Sequence, residues 1–190
     1  EPGNNDGSAG WSGSSGGGDS GPAFDAGMGE SLMRGETFTF SGITTSSVDS
    51  VAITAANSIP RLMVTVKGTT APSAAVPPDG DVYEYIEITL YWANPDDIES
   101  AVIVFTIPVD WLREHGMIPE DVGLMRYVGG VWQPLDTVFL GEEDGAYRFR
   151  ATTPGLSTFA IAAVAPENTT VTPAATATPG GAANTTINAT

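Results

Sequence analysis

The chain has 190 residues, with 7 Lys plus Arg against 23 Asp plus Glu and no cysteine. That length supports one core of ordinary domain size, and the negative charge repels nucleic-acid phosphates and anionic lipid. The missing cysteines exclude a disulfide framework, a thiolate nucleophile and a Cys-based metal site.

Residues 1–29 are dominated by Gly and Ser with scattered Asp. Too little apolar surface is present there to offset the entropy of ordering them, so they read as a flexible arm or linker. Trp11 and Phe24 stand out in it, either as incidental aromatics or as anchors that dock on a neighbouring subunit. No basic stretch followed by an apolar one lies near Glu1, and the chain reads as a mature or trimmed fragment.

From Glu30 the pattern changes to period two. "ETFTF" (36–40) puts Phe38 and Phe40 on one face, a strand is expected around Val48–Ala55, and "RLMVTVK" (61–67) aligns Leu62, Val64 and Val66. The Pro-rich stretch 68–81 reads as a boundary before a second group of strands. "VYEYIEITLYW" (82–92) is the clearest strand, with Ile86, Ile88, Leu90 and Trp92 on the core face and Tyr83, Tyr85, Glu87, Thr89 and Tyr91 on the other. "AVIVFTI" (101–107) follows as a strand buried on both faces.

Pro108 stops that strand, and "VDWLREHGM" predicts one or two helical turns that bury Trp111 and Leu112 and end at Gly116. "PEDV" (119–122) suits a further turn. "GLMRYV", "VWQPL", "TVFL", "AYRFRA" and "STFAIAAV" then recur as short strands separated by Gly-containing turns, the spacing of a sandwich. The apolar run Leu156–Ala165 is too short to span a bilayer, which takes about 20 residues as a helix. It alternates like a strand closed by Pro166. The expected fold is therefore mostly β: an antiparallel, β-sandwich-like domain over 30–165 with one short helix, between a Gly-rich arm and a Thr/Pro/Ala-rich stalk over 166–190.

Three N-x-Ser/Thr sequons fall in that stalk, at Asn168, Asn184 and Asn188, and point to an N-glycosylated extracellular segment. Acidic clusters at Asp79/Asp81, Asp96/Asp97/Glu99 and Glu142/Glu143/Asp144 are candidate Ca²⁺ ligands, though none has the spacing of a known calcium loop. No cofactor is otherwise implied. His115 is the only histidine and belongs to no recognisable catalytic order, so no catalytic residue is assigned.

From Val82 onward the order of pieces is distinctive. Ile107-Pro108 leads into Trp111-Leu112, Pro-Glu-Asp-Val occupies 119–122, Arg126-Tyr127 precedes a Gly-Trp hairpin, and "TPGLSTFAI" closes the set. This resembles the PGF-pre-PGF domain of archaeal, especially methanogen, cell-surface proteins, over roughly residues 30–165. The resemblance implies an extracellular β-rich module between a Gly-rich stretch and a Thr/Pro-rich stalk, with no catalytic residues to carry over. The family's short Pro-Gly-Phe signal is not among these residues.

The expected function is that of a non-enzymatic structural protein of an archaeal cell surface, self-assembling into a filament or surface lattice. Its partners are then copies of itself or other surface-layer proteins, and N-linked glycans, with no nucleic acid and no membrane span. The candidate strand donor is Thr37, Phe38, Thr39 and Phe40, an alternating strand preceded by a long arm. The alternative is a monomeric display or carbohydrate-binding module, with Tyr83, Tyr85 and Tyr91 stacking on sugars.

Overall fold

Alternation of apolar and polar side chains becomes pleated strand wherever a second sheet covers the apolar face. The computed structural model describes residues 23–73 and 75–164. Its strands are β1 (Asp25–Leu32), β2 (Thr37–Ser41), β3 (Val48–Ala55), β4 (Ile59–Thr69), β5 (Asp81–Tyr91), β6 (Ile98–Pro108), β7 (Val122–Val128), β8 (Val131–Pro134), β9 (Thr137–Glu143), β10 (Ala146–Thr153) and β11 (Thr158–Ala163). One short helix, α1 (Val109–Glu114), follows β6.

The strands form two antiparallel sheets, ordered β1-β4-β5-β11-β7-β8 and β2-β3-β6-β10-β9. Between them lies one core, in which Phe105 and Phe149 stack at 5.3 Å and Ile53, Leu62, Ile86 and Phe159 are fully buried. The expected mostly β, sandwich-like fold is what the structure has. β4 and β5 pair directly across the Pro-rich connection, so that stretch joins neighbours in one sheet and does not separate two groups of strands.

The boundary expected at Glu30 is too late, because β1 begins at Asp25. The cause is steric. β1 lies across the sandwich from β2, and a Cβ at Gly27 would stand 2.5 Å from Phe40 Cγ, while one at Gly29 would stand 2.7 Å from Phe38 Cδ2. The glycines that imitate a linker in the sequence are there to admit two phenylalanine rings.

Two aromatic positions also differ from expectation. Trp92 leaves the ladder with φ +64° and is 51% exposed, so it does not join the core face. A register shift between Ile161 and Ala162 doubles up the facing residues of β5 near Tyr83. Tyr83 consequently packs edge-on against Trp111 of α1 at 5.1 Å, apart from Tyr85. In α1 itself Leu112 is buried and Trp111 packs beside the core. Gly116 has the left-handed φ of +67° expected just past a helix end.

Candidate functional site

The strand-donor segment Thr37–Phe40 occupies an edge of its sheet and pairs with β3 of its own chain, Thr37 opposite Thr54 and Phe40 opposite Val51. The two threonine hydroxyls meet at 3.0 Å. β1 likewise has a single ladder partner, β4. Asp25 pins its start: its carboxylate accepts from the backbone N–H of Thr44 at 2.6 Å and of Thr45 at 2.8 Å. Burial acts to raise the Asp25 pKa, but these hydrogen bonds and those from the two threonine hydroxyls outweigh it and hold the group below its ordinary 3.8.

The three tyrosines expected to line a sugar platform are split up. Tyr83 faces α1, and burial, then the charge of Glu84, push its phenol up. Tyr85 joins a pair that the sequence reading missed, Tyr127 and Trp132, with ring centroids 5.7 Å from Tyr85 to Trp132 and 5.0 Å from Tyr127 to Trp132. The Trp132 indole N–H donates to Val76 O at 2.9 Å, so this group clamps the 70–80 connection onto the sheet. Beneath it the outward side chains of β11, Ala160 and Ala162, are fully buried. Tyr91 stays exposed next to Trp92, whose ring carries the Arg61 guanidinium at 4.0 Å.

His115 lies with Nδ1 2.7 Å from the Trp111 carbonyl oxygen and its ring against the Trp111 indole. Of the acidic clusters, Asp97 accepts from the Asn57 and Asn94 side-chain amides, and Glu143 pairs with Arg148 at 3.4 Å. Among the described residues no three His, Asp or Glu side chains gather as a metal site, and no helix is long and apolar enough to cross a membrane. Asn168, Asn184 and Asn188 lie outside the described residues.

One cleft is a gap inside a sheet. β11 separates β5 from β7 but starts only at Thr158, opposite Glu87, with Phe159 opposite Arg126. β5 continues four residues further, to Tyr91, and β7 two further, to Val128. Two flanking strands without the one between them leave an opening about 10 Å wide. With the space behind it the opening has a volume of about 620 Å³, and its apolar lining includes Ile88, Leu90, Ile98 and Leu156.

Ile88 N–H faces the gap side and donates to Ser157 O at 3.0 Å. Leu90, two residues on, directs its backbone the same way, where no ladder partner stands among the described residues. Arg126 closes the opposite side. Its Nε donates to Ser157 Oγ at 3.3 Å, and its guanidinium lies so close to Gly155 that a Cβ there would come within 2.8 Å of a terminal nitrogen. Burial lowers its pKa, yet a guanidinium stays cationic. The length mismatch between a long β5 and a short β11 is visible in the sequence, but their adjacency is not.

Comparison of the chain with protein-family models, with curated proteins and with solved structures finds no match.

Proposed function

We propose that the protein is a non-enzymatic structural component of an archaeal cell surface, and that it assembles into a filament or lattice by exchanging its N-terminal edge strands with a neighbouring copy. The observation that carries this reading is the attachment of β1 and β2. Each has one ladder partner, each lies at the edge of a different sheet, and the two are locked together through Gly27, Gly29, Phe38 and Phe40. A unit held this way leaves by opening the 42–47 connection, where Gly42 has φ +76°, and re-forms the same ladders on the next copy. The surface location is supported by the resemblance of residues 30–165 to the PGF-pre-PGF domain and by the sequons at Asn168, Asn184 and Asn188.

A cysteine-free chain makes the test clean. Thr37→Cys with Thr54→Cys joins β2 to β3 of the same chain across a register pair. Monomers oxidised before assembly are expected to stay single particles by electron microscopy, and the reduced ones to polymerise. Polymers from fully locked monomers would exclude exchange of β2.

Trp92 favours a second reading, a monomeric display or carbohydrate-binding module. A half-exposed indole held at φ +64° carries backbone strain of about 1–3 kcal/mol, of the kind that accumulates at binding sites. Calorimetric titration with surface oligosaccharides, lost on Trp92→Ala, would establish it; no heat with either protein would remove it.

A further inference from the structure

We infer that the gap between β5 and β7 is an acceptor slot for an extended acidic peptide, and that its occupant is the segment 1–22 of a second copy. The inference rests on the assembly reading and names a contact for it.

Three observations converge on the slot. Its width is that of one strand, and Leu90 offers unpaired backbone on one wall, the condition under which an incoming strand gains main-chain hydrogen bonds. Its wall carries a cation without an acidic partner: among the described residues Arg126, like Arg34, Arg61 and Arg150, has no carboxylate within salt-bridge reach, and of these four it is the one that lines the slot. The acids at the rim leave that charge standing, because Glu87 is paired with Lys67 at 3.2 Å and Asp96 is exposed. Finally, the slot offers apolar surface for a large side chain, from Ile88, Leu90, Ile98 and Leu156.

Segment 1–22 has the complementary chemistry. It contains Glu1, Asp6 and Asp19, no Lys or Arg, and no proline between Gly3 and Gly21, so its backbone can donate throughout. Most of its side chains are those of Gly and Ser, small enough for a slot flanked on both sides, and it holds one large apolar residue, Trp11. Residues 165–190 fit less well, with Pro166, Pro173 and Pro179 and a single acid, Glu167.

Register favours a second copy over the same one. Asp25 stands level with Ile88 across β4, and β1 runs from there toward the Tyr91 end, with Met28 level with Tyr91. The chain entering β1 therefore approaches from the Glu87 end, and reaching the gap within one copy needs a reversal across β4 and β5.

The test uses the full chain with a photo-crosslinking phenylalanine in place of Trp11, mixed with an isotopically heavy copy and mapped by mass spectrometry. Crosslinks from position 11 are expected on residues 87–90 or 126–128 of the other copy. Arg126→Gln should cut their yield about tenfold, as loss of a charge-assisted hydrogen bond does, and Arg126→Lys should restore part of it. Changing Glu1, Asp6 and Asp19 to amides alters none of the described residues and should give the same loss. Crosslinks elsewhere, crosslinks within one copy, or yields insensitive to both changes would overturn the assignment. If polymers form while crosslinks fall elsewhere, the slot is wrong and the assembly reading stands. Absence of both polymers and light–heavy crosslinks removes both.

Discussion

The two open sides of the sandwich are built differently. At each, consecutive strands change sheet: β1 to β2 on one side, β8 to β9 on the other. On the first side Gly27 and Gly29 receive Phe40 and Phe38, so the sheets are joined by shape. On the second, Leu135 N–H donates to Leu124 O and Thr137 Oγ1 accepts from Leu124 N–H, but Val131, Val138, Phe139 and Leu140 remain exposed. A register shift at Arg148/Phe149 twists that edge and discourages regular pairing along it. Under the proposed exchange, a shape-specified edge can re-form on another copy, whereas the apolar, twisted edge lacks such a complementary surface. Position at an edge is thus not enough for exchange; the complementary surface is what makes it reproducible.

Gly27→Val should have the largest effect. The added side chain has no space beside Phe40, and overpacking of this kind costs up to about 3 kcal/mol. Chemical denaturation should show that loss, and Phe40→Ala in the same chain should return part of it. Phe40→Ala alone is expected to cost about 2 kcal/mol, below the range for fully buried rings because Phe40 is half-buried. Phe139→Ala, on the other side, removes a ring that is 38% exposed and touches Tyr147 and Phe149, and should cost about 1 kcal/mol. Equal losses for Phe40 and Phe139 would erase the distinction between the two sides.

The smallest effect is electrostatic. The depressed pKa of Asp25 means that its carboxylate stabilises the start of β1 fully at pH above the ordinary 3.8, and that this contribution fades as pH falls through the lower folded value. β1 amides should therefore exchange faster with solvent below pH 3.8 relative to those of β6. Asp25→Asn should remove that pH dependence, and an unchanged acid response in this variant would assign it to another group.

Most strands could be read from the sequence because period two is a local property. Val48–Ala55 and the Pro108 stop are examples, and Gly116 marked its helix end through backbone sterics alone. What escaped depends on contacts between distant segments. β1 looked like linker because the reason for its glycines is a pair of rings on another strand. Trp92 was placed on the core face by extending the alternation one residue too far, past the point where the backbone turns left-handed. Tyr83 changed sides through a register shift against β11, and the slot at Arg126 exists only because β11 stops short between two longer strands. None of these follows from spacing along the chain.

Native-state hydrogen exchange of the monomer measures directly whether the N-terminal edge can leave. The β2 amides paired with β3 are expected to exchange through a local opening at least about tenfold faster than those of β6 and β10, with β1 opening in the same step. If β1 and β2 are protected as fully as the central strands and open only on global unfolding, the edge does not leave the folded protein and strand exchange cannot be its means of assembly.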